Sequence, residues 1–158
     1  MRTVIGIDPS ITCTGVVVVR IEEGQVRPIA AENIRPARSC TTTTERIDSV
    51  MRDLDGLVAD HLPEVAVVEM TSNHVFTRHK GAGAGLAGYG RIVGRVEEYM
   101  LRECAKVIRP NVDDLWRGRT KASRHAGLRA AYPELRKASH DILDAFSLIL
   151  WAHERQMI

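Results

Sequence analysis

The stretch TVIGIDPSITCTGVVVVRI, residues 3–21, contains two β-strand signals separated by a polar turn. Residues 3–8 are β-branched and apolar until the run ends in Asp8, and residues 14–21 form a second β-branched run. A tight turn at Gly24 precedes a third predicted strand over residues 25–33. Three consecutive strands joined by short turns predict an antiparallel meander.

Helix and strand signals alternate downstream of this meander. A polar run at residues 41–44 predicts a helix cap, and Glu45 favours the first turn of that helix. The later predicted elements are a helix ending near residue 60, strands over 64–69 and 106–109, and helices over 85–103, 123–131 and 140–155. The order βββαβαβαα has no internal repeat and no linker, so we expect a single domain over residues 1–158.

The composition, 44% hydrophobic and 27% charged over 158 residues, is typical of a globular chain with a real core. No apolar run approaches the ~20 residues that span a bilayer. Asp8 interrupts the apolar stretch that a signal peptide would need. We therefore expect a soluble, cytoplasmic protein with no membrane partner. Cys13, Cys40 and Cys104 form no CxxC pair, which predicts three free thiols.

Basic residues are concentrated in the middle of the chain. Residues 71–139 contain 14 Lys/Arg against 6 Asp/Glu, whereas the remainder contains 8 against 14. This distribution predicts a surface for a polyanion such as nucleic acid. The alternative interpretation is a set of solvated helix faces, and charge alone leaves both open.

Four carboxylates adjoin strongly apolar sequence: Asp8, Glu69, Asp141 and Asp144. Three have an ordinary structural explanation: Asp8 as a turn aspartate, Glu69 as a strand end and Asp141 as an acidic residue near a helix start. Asp144 lies within an apolar segment and is harder to explain as a solvated residue. A cluster of buried carboxylates would raise the pKa of its members unless cations neutralised it. Hard divalent ions such as Mg²⁺ accept oxygen ligands, and two of them can support phosphodiester hydrolysis. Whether the four meet in space requires a fold.

Three segments together resemble the RuvC family of Holliday-junction resolvases, within the ribonuclease H-like superfamily. They are GIDPSITCTG at 6–15, VVEM at 67–70 and HDILDAFSLILWAH at 140–153. The element order and the Gly90-Arg91 pair in the middle helix are also similar to that family. The resemblance implies an α/β fold with a five-stranded mixed sheet flanked by helices. Strands 1–3 would form the antiparallel meander, and strands 4 and 5 would be parallel.

The resemblance also implies an activity and its cofactor. Asp8, Glu69, Asp141 and Asp144 would be the catalytic and metal-binding residues for two Mg²⁺ ions, for which Mn²⁺ can substitute. The expected enzyme is a homodimeric DNA endonuclease of recombination and repair. It would nick two strands of a four-way junction symmetrically and leave 5′-phosphate ends.

Departures from the family pattern keep alternatives open. Ser10 stands where Gly is common, and Met70 stands where Gln often follows the catalytic Glu. Phe76, the candidate aromatic for stacking on junction bases, lies further along the loop than expected. The alternatives are a relative, such as a virus-encoded one, that cuts forks and flaps more broadly, or a nuclease of RNA or RNA–DNA hybrid.

Two basic groups are predicted to contact DNA together with Phe76. One contains Arg78 and Lys80, and the other contains Arg117, Arg119, Lys121 and Arg124. Phosphate contacts of this kind would give salt-dependent affinity without sequence readout.

The glycine-rich segment at residues 81–90 lacks the lysine of a nucleotide-binding loop. It favours close helix packing at a dimer interface, through a stripe of Gly88, Ile92 and Val96. His140 adjoins Asp141 and is either an assistant of the metal site or a surface histidine.

Overall fold

The computed structural model describes residues 1–70, 83–110, 115 and 120–158. The strands are β1 (Arg2–Asp8), β2 (Thr14–Glu22), β3 (Gln25–Ile34), β4 (Val65–Val68) and β5 (Lys106–Ile108). The helices are α1 (Thr43–His61), α2 (Gly83–Glu103), α3 (Lys121–Ala131) and α4 (His140–Glu154), with a 3₁₀ turn at Pro133–Leu135.

The strands form one mixed sheet in the order β3-β2-β1-β4-β5. The pairs β1–β2 and β2–β3 are antiparallel, whereas β1–β4 and β4–β5 are parallel. This is the sheet that the sequence and its family resemblance predicted, so the expected fold class is confirmed. Pro28 lies on β3 at the edge of the sheet, beside a register shift between Val18 and Val19 of β2. An edge strand tolerates a proline because one side of it has no hydrogen-bonding neighbour.

Both faces of the sheet are covered, which explains why β1, β2 and β4 read as continuous apolar runs. Val4, Val17 and Val67 point toward the face that packs on α4. Ile5 and Val68 point toward the opposite face, where α1 and α2 pack. The side chains of each strand thus alternate between two separate cores on either side of the sheet.

Helix α1 begins with the predicted cap. Thr42 accepts a hydrogen bond from the Glu45 backbone N–H, while the Glu45 carboxylate accepts from Thr41 and Thr42 N–H groups. These hydrogen bonds lower the pKa of Glu45 to about 2. None of the helices in the described ranges is long and apolar enough to span a bilayer. The three cysteines are free, as predicted.

Candidate active site

The parallel pairing of β1 with β4 brings two of the four predicted carboxylates together. Asp8 is the last residue of β1, and Glu69 directly follows β4. The Glu69 backbone N–H donates to the Ile7 carbonyl oxygen at 3.0 Å, which extends the β1–β4 ladder by one step. The carboxyl ends of parallel neighbours lie at the same edge of a sheet. Asp8 and Glu69 are therefore neighbours there.

Helix α4 brings the other two carboxylates to this edge. Ser139 caps the helix by accepting from the Ile142 N–H, which places Asp141 in the first turn and Asp144 one turn later. The helix backbone lies directly on the sheet at two glycines. A Cβ on Gly6 would overlap the Ala145 carbonyl oxygen, and a Cβ on Gly15 would overlap the Asp141 carbonyl group. Neither position has room for a side chain.

The electrostatics identify Asp8, Glu69 and Asp144 as one group. Burial raises the pKa of Asp8 well above its usual range, and the charges of Glu69, Asp144 and Asp141 raise it further. Burial and the Asp144 charge raise the pKa of Glu69 to about 7. Burial and mutual repulsion therefore favour the protonated forms of Asp8 and Glu69, and a nearby cation would favour their ionised forms.

Asp141 lies at the margin of this group. Its carboxylate hydrogen-bonds the Cys13 thiol, whose pKa is raised to about 11 by burial and by that contact. Asp141 contributes least among the charges that raise the pKa of Asp8. It is therefore close to the other three without being at their centre.

Lys121, at the first position of α3, supplies positive charge. Its ammonium forms an ion pair with Oδ2 of Asp144, and its charge also lowers the pKa of Asp8 and of Glu69. Burial lowers the pKa of Lys121, but the contact with Asp144 and the charges of Asp8 and Glu69 outweigh it and raise the pKa. Lys121, which is one of the predicted DNA-binding residues, thus lies among the carboxylates.

His125 is a site residue that the sequence analysis missed. It lies one turn after Lys121 on α3 and is 1% exposed. Its Nε2 is 2.7 Å from Oδ1 of Asp144, and its Nδ1 is 3.1 Å from Nδ1 of His140. Burial lowers the pKa of His125, against the opposing effect of Asp144. The spacing of four residues from Lys121 was the available signal, because it predicts a shared helix face.

A metal ion fits the donor chemistry of this edge. Carboxylate oxygens are the ligands that Mg²⁺ prefers, and buried carboxylates with raised pKa values are stabilised by an added cation. Within the described residues, no group of three or more His, Cys, Asp or Glu side chains is arranged so that it could hold a metal ion by itself. Any ion would therefore complete its shell with water or substrate oxygens, as Mg²⁺ commonly does.

Most of the predicted DNA contacts fall outside the described residues: Phe76, Arg78, Lys80, Arg117 and Arg119. Arg124 is described, and its guanidinium donates to the carbonyl oxygens of Leu115 and Ser147, each at 3.2 Å. Arg124 therefore connects α3 to α4 by hydrogen bonding. Its contact with DNA stays a prediction.

The stripe on α2 is a correction to the sequence analysis. Gly88 packs against Ile11, while Ile92 and Val96 are fully buried beneath the sheet in the core shared with α1. The close packing was predicted correctly, but these side chains are buried within the chain itself. They are not available as a surface for a partner subunit.

Comparisons with known proteins find one family model and several solved structures of similar fold. The family model described as "Crossover junction endodeoxyribonuclease RuvC" matches residues 4–105. Among solved structures, Thermus thermophilus RuvC in complex with a Holliday junction substrate matches with a TM-score of 0.79 at 18% identity, covering 99% of this chain and 96% of that chain. The fowlpox virus Holliday junction resolvase matches with a TM-score of 0.61 at 18% identity, covering 97% and 99%.

A third similar structure is the yeast mitochondrial Holliday junction resolvase Ydc2, with a TM-score of 0.68 at 9% identity, covering 98% of this chain and 78% of that chain. At these identities the structures show a shared fold. A comparison with curated protein sequences finds no match.

Proposed function

The chain belongs to the RuvC family of crossover junction endodeoxyribonucleases, and we propose that it resolves four-way DNA junctions by metal-dependent hydrolysis. The observation that carries this proposal is the group of Asp8, Glu69 and Asp144 at one edge of the sheet, where burial and mutual repulsion raise the pKa of Asp8 and of Glu69. A protein that only bound DNA would gain nothing from negative charge concentrated beside its basic residues. The charge is understandable if cations and a phosphodiester meet there.

Asp8, Glu69, Asp141 and Asp144 would hold two Mg²⁺ ions, for which Mn²⁺ can substitute. When bound, such ions lower the pKa of an attacking water and stabilise negative charge on the reacting phosphate. Asp8 takes the central position, because Glu69, Asp144 and Asp141 all act on its charge. Glu69 and Asp144 would each bind one of the two ions. Asp141 would either orient the other ligands or bind an ion itself.

Lys121 has a second role in this proposal. Its ammonium already lies beside Asp144, and its charge lowers the pKa of Asp8 and of Glu69. A DNA phosphate entering the site would meet this positive charge, which holds the phosphate by a contact that carries no sequence information. Arg117, Arg119 and Arg124 with Arg78, Lys80 and Phe76 would extend the DNA surface.

The proposed product and assembly follow the family. Each site would nick one strand and leave a 5′-phosphate and a 3′-hydroxyl. A homodimer with two sites about a two-fold axis would make the paired, symmetric nicks that separate a four-way junction into two duplexes. The proposed setting is the DNA-containing cytoplasm, with residues 1–158 acting as one nuclease domain.

The decisive experiment is cleavage of a strand-labelled mobile four-way junction, with Mg²⁺ or with EDTA. Linear duplex, a Y-shaped fork and an RNA–DNA hybrid of matched sequence are the parallel substrates. We expect paired nicks at symmetric positions of the junction, only with Mg²⁺. DNA ligase should then seal the products without prior phosphorylation, because a ligatable nick requires a 5′-phosphate.

One alternative is favoured by a specific observation. Met70, which follows Glu69, and Ser10 depart from the family pattern beside the site. This alternative is a nuclease that acts on branched DNA more broadly. Equal cutting of forks and junctions would support it over strict junction resolution. Cleavage of the hybrid alone, or of none of the substrates, would contradict the proposed function.

A further inference from the structure

Helix α3 presents two side chains, one turn apart, to the two oxygens of a single carboxylate. The Lys121 ammonium contacts Oδ2 of Asp144, and Nε2 of His125 lies 2.7 Å from Oδ1. Asp144 is 3% exposed and His125 is 1% exposed, so the contact between these two side chains is shielded from water, whereas Lys121 reaches the carboxylate from an exposed position. The charge of Lys121, which contacts Oδ2, also lowers the pKa of Asp8 and of Glu69, so Oδ2 faces the cation that the three carboxylates share. Oδ1 faces the buried ring of His125.

The hydrogen bonds of His125 assign its proton. An ionised carboxylate only accepts hydrogen bonds, so Nε2 of His125 is the donor to Asp144. In the neutral ring Nδ1 then carries a lone pair, which can accept from an Nδ1–H of His140, whose Nδ1 is 3.1 Å away. His140 lies in the first turn of α4, the helix that carries Asp144. The three side chains therefore form a chain of hydrogen bonds that begins and ends on α4.

We propose that His125 is a positioning residue for the proposed active site. It fixes the Asp144 carboxylate through Oδ1, which keeps Oδ2 on the side of Lys121, where it can bind the divalent ion. His140 supports it by holding the ring in the tautomer that donates from Nε2. This inference rests on the proposed function, because Asp144 is taken to be a ligand of the divalent ion. Partners that orient a ligand in this way commonly contribute 10–100-fold to ion affinity or activity.

Two substitutions separate the hydrogen bond from the volume of the ring. His125→Gln keeps a side-chain N–H at about the reach of Nε2, whereas His125→Leu fills much of the space without a donor. Leu128→Ala is the matched control for packing. Leu128 lies on the same helix and is 7% exposed in the core shared with α4, but its side chain has no group that can hydrogen-bond Asp144.

The first measurement is the affinity of the DNA-free, full-length chain for Mn²⁺, followed by the electron paramagnetic resonance signal of the free ion. We expect His125→Leu to weaken Mn²⁺ binding by about 10–100-fold and His125→Gln to restore most of that loss. Leu128→Ala should bind Mn²⁺ like the unmodified chain while unfolding at lower urea concentration. Unchanged affinity in His125→Leu would overturn the proposal, and so would equal losses in all three variants.

The second measurement is the tautomer of His125, read from its ¹⁵N ring shifts. We expect the proton on Nε2, and a proton found only on Nδ1 would overturn the proposal. Both readouts are made without DNA. A chain that binds Mn²⁺ but cuts no junction would therefore refute the proposed function while still deciding the role of His125. A chain that binds no Mn²⁺ would refute the positioning role as well.

Discussion

Gly15 lies against the backbone of Asp141, so closely that a Cβ on Gly15 would overlap the Asp141 carbonyl group and come 2.9 Å from the Asp141 Cβ. Gly15 is also the cross-strand partner of Asp8 in the β1–β2 pair. One residue without a side chain thus sets how near the first turn of α4 comes to the end of β1. That distance decides whether Asp141 can join the other carboxylates.

Gly15→Ala is expected to damage the site and the fold together. The added methyl group must displace helix backbone, so we expect the free energy of unfolding to fall by about 1–3 kcal/mol. A shift of the carboxylates by about 1 Å would lower cleavage about 100-fold. Urea unfolding and single-turnover junction cleavage measure the two effects.

Gly56→Ala is the control for Gly15→Ala. Gly56 has open space around it in α1, and alanine there should stabilise the helix by about 0.5–1 kcal/mol. Unaltered stability and cleavage in Gly15→Ala would contradict this prediction. They would show that α4 can move away from the sheet without loss of stability or activity.

Asp8→Asn is expected to abolish cleavage while leaving junction binding intact or tighter. The amide is close in shape to the carboxylate but removes the central negative charge, which reduces repulsion of the DNA phosphates. Gel-shift binding to the junction in Ca²⁺ and cleavage in Mg²⁺ measure the two properties. Asp53→Asn, at an exposed position of α1, is the matched control and should cut normally. Parallel loss of binding and cleavage in Asp8→Asn would contradict this separation.

Stability of the ion-free protein is expected to fall as the pH rises from about 4.5 to about 7, the pKa range of Glu69 between its usual and its folded value. The folded state binds this proton more tightly than the unfolded state, so deprotonation favours unfolding. The loss approaches about 3 kcal/mol at most. Urea unfolding in EDTA across this range measures it, and Mg²⁺ should restore stability most at the higher pH.

Glu69→Gln should flatten this pH dependence, because the amide does not titrate. Some slope should remain, since burial also raises the pKa of Asp8. Glu134→Gln, at an exposed position outside the site, is the control and should keep the full slope. An unchanged slope in Glu69→Gln would mean that other groups cause the pH dependence.

Arg124→Gln is expected to lower the free energy of unfolding by about 1–3 kcal/mol, because the carbonyl oxygens of Leu115 and Ser147 lose charged donors. Arg52→Gln, at an exposed position of α1, should change stability by less than about 0.5 kcal/mol. The salt dependence of junction binding tests the separate prediction of a phosphate contact. Loss of one phosphate contact should reduce the slope of log binding constant against log salt concentration by about one. An unchanged slope would mean that Arg124 connects α3 to α4 without contacting a DNA phosphate.

Much of the architecture could be read from the local sequence. The β-branched runs of β1, β2 and β4, the Thr42–Glu45 cap and the apolar stripe of α4 predict their elements, because these preferences act within one or two turns or along one strand. The four carboxylates could also be singled out, since each ends or interrupts an apolar segment. Their assignment to one site came from the family resemblance.

Contacts between distant segments required the folded chain. Its spacing from Lys121 places His125 on the same helix face, but its role emerges only when α3 packs on α4 beside Asp144. The α2 stripe was assigned to a subunit interface, because spacing shows which side chains share a helix face but not what covers that face. The close approach of Gly15 to the Asp141 backbone likewise could not be predicted from local sequence. Local patterning specifies the elements and the chemistry they carry, whereas distances between side chains depend on how whole elements fill space against one another.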